Sequence, residues 1–381
     1  MISVDFLPKL GGVSLMAHHV ANSMVSNGND VLMLAPKGAC TPKDYVRLYG
    51  LIEDFQSQTR LREGAASIAE EKRLVTLIEQ ICRHHDVTDI VCMHPFYYAW
   101  PAVEVARKLN IACGVYFHGF EFFSQLLRVG TFKQPPAVQD MTQLPWKVYA
   151  CVRDSSRIFV NSSYTKTLIQ QATGRGDIVA TGCGLENEII DRYADRRPNL
   201  LQSSCETIRF AYVGRLVKSK RVDRLILWCA KSPRFSATII GDGPERESLV
   251  SLVAQHGLDG RVKFAGSVTE QEKYQILEQT DFIALLSEEN HETGNVEGFG
   301  IALIEGAAAG AIPFSSGTGG MVDIVRHGDT GFVQDALVDA QELVQFCSDR
   351  PRIEAMGNRL KTDLADRFNW NKIAQTVLDV I

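Results

Sequence analysis

Short runs rich in β-branched and aromatic residues alternate with amphipathic stretches from one end of this chain to the other, and that rhythm leaves few folds open. In the first half the spacing predicts strands over 2–6, 30–35, 89–93, 111–117 and 157–161, with helices over 13–26, 68–84, 102–108 and 164–171. The second half repeats it, with strands over 208–213, 236–241, 262–265, 282–286 and 311–315 and helices over 221–230, 245–256, 270–279 and 300–309. Strands alternating with helices bury their apolar faces as a parallel sheet covered on both sides. Two such runs within 381 residues predict an α/β protein of two Rossmann-like domains facing each other across a cleft. The polar segment 187–207, with ADRRPN and QSSCET, reads as the linker.

A net charge of −5 gives no field that would attract a polyanion, so no nucleic-acid partner is expected. Residues 1–200 hold 21 Lys and Arg against 20 Asp and Glu, and the remainder 19 against 25. The first half is therefore the side for any peripheral contact with anionic lipid. The nine cysteines are scattered and never spaced as CxxC, the pattern of reduced thiols rather than of a disulfide frame or a zinc site. No apolar run approaches the length of a bilayer crossing, and MISVDFLPKLGG lacks the basic start and apolar core of a signal peptide. The expectation is a cytoplasmic chain, at most peripheral to the inner face of a membrane.

Every informative motif follows a predicted strand. Gly11-Gly12 opens the first helix, GRLVKSKR places Arg215 and Lys220 around a turn, and GDGPE carries Gly241 and Gly243. A loop after the strand at 282–286 ends in Glu297-Gly298-Phe299-Gly300. Helix N-termini offer unpaired N–H groups and a positive dipole end, which suit phosphate. An arginine fork beside a mobile lysine suits a pyrophosphate. Any one of these loops is equally well read as ordinary punctuation between strand and helix; four of them, each following a strand, point to a ligand. Glu297 precedes the helix and Glu305 lies about a turn and a half inside it, with seven residues between them. Two carboxylates at those depths suit vicinal hydroxyls such as those of a ribose and a hexose, although a first-turn acid is also a plain dipole partner.

In these residues the chain resembles the retaining GT-B glycosyltransferases of family 4, the group 1 transferases. The resemblance covers nearly the whole chain. It is carried by the E-x7-E element (Glu297, Glu305), VGRLVKSK, GDGPERESL, FAG at 264–266 and GTGGMVDIVRHGDTGFV, and more loosely by GGVSLMAHHVANSMVSNGNDV and FHG at 117–119. It implies an acceptor-binding domain over 1–190, completed by a C-terminal helix at 366–381, and a donor-binding domain over 191–365. It implies that Glu305 holds the donor's ribose and that Glu297, with the backbone of Gly298, Phe299 and Gly300, holds the donor sugar. Arg215 and Lys220 would bind the pyrophosphate with help from the Gly12 backbone and the loop of Gly241 and Gly243, and His118 would lie near the transferred sugar. The partners implied are a nucleotide-sugar donor and a carbohydrate or lipid-linked acceptor in glycan synthesis. Such enzymes use no divalent metal and no further cofactor, and no Asp-x-Asp pair occurs in the chain.

The chain departs from the family pattern in places. Arg221 stands where a glycine is usual, CGLE at 183–186 replaces Asn-Gly-apolar-Asp, and SEENHETGNV is longer and more acidic than usual. His84-His85-Asp86 and His291-Glu292 lack metal-ligand spacing. The aromatic stretch 93–100 fits an acceptor wall or the core equally, and 126–149 reads as an irregular connection that in relatives shapes the acceptor site or touches membrane. Two rival readings stay open, a sugar-nucleotide epimerase on the same fold and a non-catalytic nucleotide-sugar-binding subunit.

Overall fold

The structure is a computed structural model that describes residues 1–3, 12–35, 47–50, 68–95, 98–119, 144–203, 206–290, 296–334 and 339–381. The chain forms two compact α/β units, one built from the residues up to Cys183 together with Trp370–Ile381, the other from residues between Gly184 and Asn369.

In the first unit β3 (Asp89–Cys92), β4 (Ala112–Phe117), β5 (Arg157–Val160) and β6 (Ile178–Ala180) form a parallel sheet in sequence order, and β1 (Leu32–Ala35) pairs with β2 (Arg47–Gly50). Ile2 bridges both sets in parallel, to Leu34 and to Cys92. Of the strand expected over 2–6, residues 4–6 lie outside the described residues. The Gly12–Ser26 helix packs against the C-terminal Trp370–Val380 helix, with the His19 ring stacked on Trp370 at 5.3 Å between centroids.

Among the described residues the second unit holds six parallel strands: β7 (Ile208–Val213), β8 (Phe235–Ile240), β9 (Val262–Gly266), β10 (Phe282–Leu285), β11 (Ile312–Ser315) and β12 (Phe332–Val333). Their order is β12-β11-β10-β7-β8-β9. The chain runs outward from β7 to β9, then returns to the other side of β7 to lay down β10, β11 and β12. The loops leaving β7 and β10 therefore emerge side by side at the reversal, where open parallel sheets bind ligands. Phe210, Phe235, Phe282 and Phe314 line the sheet, and Trp228 of the Val222–Ala230 helix packs on Phe235 and Phe314. The small-residue run after Glu305 has a steric cause. A Cβ on Gly306 would sit 2.5 Å from Ile283, so the Ile301–Ala308 helix can lie directly on β10.

The stretch 187–207 is not a free linker. Asn187–Arg192 is helical, and Asn199 in the following turn is 2% exposed. Its amide nitrogen donates to the carbonyls of Leu277 at 3.1 Å, Thr280 at 2.7 Å and Ala309 at 3.1 Å. Arg196 donates to the Asn199 Oδ1 at 2.8 Å and to the Glu278 carbonyl at 2.6 Å. Polar composition misleads here because these side chains serve backbone carbonyls at helix ends rather than water. Of the connection 126–149, Leu144 onward is helical and the remainder lies outside the described residues.

Asn199→Ala leaves three buried carbonyls without that donor and is expected to cost about 2–4 kcal/mol. Urea unfolding followed by tryptophan emission checks this, and a loss below about 1 kcal/mol would show that water or relaxation replaces the amide.

Candidate functional site

The loop after β7 is built against the loop after β8 through the backbone. The Gly214 N–H donates to the Ile240 carbonyl at 3.0 Å, Leu216 N–H to Asp242 at 2.9 Å, and Glu245 N–H to Leu216 at 3.0 Å. Gly241 has φ +125°, and a Cβ there would lie 1.9 Å from the Gly214 carbonyl oxygen; one on Gly243 would lie 2.4 Å from that of Leu216. The glycines of GDGPE are thus required by loop-on-loop packing, which fixes Arg215. The Tyr212 hydroxyl adds a bond to the Arg215 carbonyl at 2.9 Å. The Arg215 side chain is exposed, and among the described residues no carboxylate pairs with it.

Lys220 ends the short Lys218–Lys220 turn, and its ammonium forms an ion pair with the Glu297 carboxylate. Two expected site residues, 77 positions apart, are thereby brought together within one unit. The Ser287 hydroxyl donates to the same Glu297 oxygen at 3.0 Å. Ser287 is itself held, its carbonyl accepting from the Ser316 hydroxyl at 2.6 Å and from Thr318 at 3.0 Å. The Glu297 carbonyl accepts from Gly320 N–H at 2.8 Å. Burial and the nearby Glu297 charge push the Tyr212 phenol up, with Arg215 opposing.

Gly300, at φ +99°, opens the Ile301–Ala308 helix, and as the N-cap residue it has no side chain to cap that end. Phe299 is 3% exposed and meets Phe368 edge-on, so any part it has in ligand binding falls to its backbone. Glu305 faces Lys273 of the neighbouring Glu270–Leu277 helix, Oε1 to Nζ at 2.7 Å. Lys273 also pairs with Glu270 at 2.8 Å. Burial alone would lower the Lys273 pKa, but the charges of Glu305 and Glu270 outweigh it and hold it above the usual value. Glu186, nearby, is pushed up by burial and by the charges of Glu188 and Glu270.

His118 and Gly12 belong to the first unit. Gly12 is the exposed first residue of its helix. His118 follows β4, and its Nε2 lies 2.7 Å from the Met93 carbonyl; because a carbonyl only accepts, Nε2 carries the proton. The Asn161 amide donates to the His118 carbonyl at 3.3 Å, and the ring lies 6.0 Å from Tyr116 and 6.2 Å from His94. Within 93–100, Met93, Tyr98 and Ala99 are buried core residues. Among the described residues no group of three or more His, Cys, Asp or Glu is placed to hold a metal, and no helix is long and apolar enough to cross a membrane. His291 and Glu292 lie outside the described residues.

Sequence reasoning missed Ser287, Tyr212 and Lys273. Serine after a strand and tyrosine inside one carry no signal, since their partners are distant in the chain. Lys273 had a faint one in Glu270 three residues earlier, a spacing that also describes any solvated helix face.

Arg221 replaces the expected glycine yet keeps a glycine's conformation, φ 47° and ψ 45°. Its guanidinium pairs with Asp223 at 2.9 Å and with Glu288, whose N–H donates to the Ser219 carbonyl at 2.8 Å. Arg221→Gly is expected to lie within about 1 kcal/mol of the parent, because it relieves a left-handed residue and loses only partly exposed pairs. Arg221→Val puts a branched side chain there and should cost about 2 kcal/mol or more. Urea unfolding of the three proteins compares them, and equal losses would show that the backbone conformation is not the constraint.

Comparison with known proteins bears on this geometry. Residues 199–348 match the family described as Glycosyl transferases group 1, and residues 10–186 match Glycosyltransferase Family 4. The chain is 24% identical to the GDP-mannose-dependent alpha-(1-6)-phosphatidylinositol monomannoside mannosyltransferase of Mycobacterium tuberculosis, over 100% of this chain and 97% of that one. It is 29% identical to the N-acetyl-alpha-D-glucosaminyl L-malate synthase of Bacillus anthracis over 168 residues, 42% of each chain. The fold is similar to that of Anabaena Alr3699/HepE, solved in complex with UDP-glucose, with a TM-score of 0.67 and 19% identity over 99% of this chain and 98% of that one.

Proposed function

From the premise that the chain belongs to glycosyltransferase family 4, the group 1 transferases of the GT-B type, we propose a retaining, metal-independent reaction. In it a hexose-type sugar passes from a UDP- or GDP-sugar to a carbohydrate or lipid-linked acceptor, as a step in building a cell-surface polysaccharide. The observation that carries the reading is the Lys220–Glu297 pair beside the uncapped start of the Ile301–Ala308 helix, at the β7/β10 reversal. A relative dependent on GDP-mannose and a fold neighbour solved with UDP-glucose both support a nucleoside diphosphate donor and leave both bases open.

Rupture of the bond between the anomeric carbon and the diphosphate leaves positive charge on the sugar and negative charge on the leaving group. Fixed cations at the diphosphate lower that barrier. Arg215 and Lys220 are the cations assigned to it, with Lys220 exchanging Glu297 for phosphate. The exchange releases Glu297 to accept from sugar hydroxyls. The acceptor hydroxyl attacks on the face the diphosphate leaves and gives its proton to the departing phosphate oxygen, so configuration is retained without an enzymatic base. His118 beside the sugar and the Gly12 backbone at the pyrophosphate are assigned from the family resemblance.

Calorimetric titration of UDP, GDP, ADP and CDP, with EDTA present, tests the donor site. One diphosphate should bind in the micromolar range, and Lys220→Ala should weaken it by about 1.5–3 kcal/mol, the worth of a charged hydrogen bond. No binding, or binding indifferent to Lys220, would overturn the reading. Proton NMR of the first product formed from the matching sugar nucleotide decides retention against inversion.

A further inference from the structure

Lys273 is out of place for a lysine. It sits on the Glu270–Leu277 helix with only 9% of its side chain exposed, and lysines are seldom buried unless paired. The helix start is fixed by a capping box between Thr269 and Glu272, which sets the face on which Lys273 falls. Asn199 binds carbonyls at the far end of that helix and at the end of the Ile301–Ala308 helix, so one side chain ties together the two helices that carry Lys273 and Glu305. The register of the pair is thus set from both ends.

The chemistry of the pair is specific. Lys273 Nζ takes one oxygen of Glu305 at 2.7 Å, and the other oxygen has no hydrogen bond to any described residue. Glu270 shares the same ammonium at 2.8 Å, and Glu186 stands in the same neighbourhood, where its carboxyl is affected by both Glu270 and Lys273. One cation thus serves a group of carboxylates that would otherwise repel one another. Were the lysine only a filler of space, an apolar side chain of similar volume would serve as well, since a partly buried ion pair adds little net stability. What the lysine supplies and methionine cannot is a Glu305 carboxylate held by one oxygen, with the other left to accept.

We propose that Lys273 is a positioning residue for the donor ribose: it holds Glu305 by one carboxylate oxygen so that the other accepts from a ribose hydroxyl. This rests on the donor-site reading above and adds to it the residue that sets discrimination between ribose and deoxyribose. The role of Lys273 is exerted through Glu305; it touches no substrate atom itself.

The test measures, by calorimetry, dissociation constants for the nucleoside diphosphate that binds the parent protein and for its 2′-deoxy and 3′-deoxy forms. Parent protein, Lys273→Met, Lys273→Arg and Glu305→Gln are compared, with circular dichroism melting to confirm that each is folded. The parent should prefer the ribose form over at least one deoxy form by about tenfold or more, as a charged hydrogen bond predicts. Lys273→Met and Glu305→Gln should both abolish most of that preference while changing affinity for the deoxy form by less than about twofold, and Lys273→Arg should restore part of it. A folded Lys273→Met protein that keeps the parent's ribose preference overturns the inference and leaves the donor site standing. If Lys273→Met does not fold, Lys273→Arg and Glu305→Gln decide: an unchanged preference in Glu305→Gln overturns it. A parent protein that binds no diphosphate at all overturns both readings.

Discussion

Three backbone carbonyls from the ends of two helices converge on one amide nitrogen, that of Asn199, and the geometry of the candidate site depends on it. Helices leave their last carbonyls without intrahelical partners, and a buried end must find other donors. Here the ends at 277–280 and at 309 share a single donor group, so neither helix can shift along its axis without breaking a bond to Asn199. Arg196 closes the arrangement by holding the Asn199 oxygen. The consequence reaches well beyond the amide, because the two helices present Lys273 and Glu305 to each other.

At the other side of the site the same work is done by backbone atoms. The loops after β7, β8, β10 and β11 crowd onto one sheet edge and exchange hydrogen bonds: Gly214 with Ile240, Glu288 with Ser219, Gly320 with Glu297. Glycines at 241, 243 and 320 are where these loops touch, because a Cβ would meet a carbonyl oxygen at 1.9, 2.4 and 2.0 Å. Side chains that stand on such a frame have few positions open to them. Lys220 and Glu297 meet because their loops are bonded together, and Ser287 then fixes which carboxylate oxygen faces the ammonium. Arg221 fits the same logic. A left-handed residue with a side chain costs about 1–2 kcal/mol, and the contacts to Asp223 and Glu288 offset part of it while fastening the turn that carries Lys220.

Much of this was legible in the chain. Period-two and period-3.6 patterns located most strands and helices to within a few residues, since a fully buried run such as Phe282–Leu285 and a strongly amphipathic helix such as 68–84 leave little ambiguity. Short edge strands escaped: β6 has three residues and β12 two, too few to show a period. Arg215, Lys220, Glu297 and Glu305 were singled out because each lies in a motif that follows a strand. Their partners Ser287 and Lys273 were not, because an ion pair across 32 positions is set by helix packing, which no local pattern records. The reading of 187–207 as a linker failed for a related reason. Polarity marks a need for hydrogen bonds, and it does not say whether water or a helix end supplies them.

The two glutamates differ in what holds them, and that difference follows from the glycines between them. Gly300 turns the chain into the helix with φ +99°, so Glu297 stays on the loop, at the level of the uncapped N–H groups, while Glu305 is carried down the helix. From Gly300 to Glu305 the helical rise is about 7–8 Å. Two acceptors at such separate depths cannot act as a dyad on one proton, which argues against acid–base chemistry at the pair itself. In the proposed reaction they serve two polyol groups held apart by a charged spacer, for which the exposed Arg215 and Lys220 would supply the cations. Each glutamate has its own lysine, and the lysines differ in the same sense: Lys220 is the more exposed and stands on a turn, whereas Lys273 is buried on a helix between two carboxylates. On the proposed function, a cation that exchanges a carboxylate for a phosphate belongs on the loop, and one that holds its carboxylate throughout belongs on the helix.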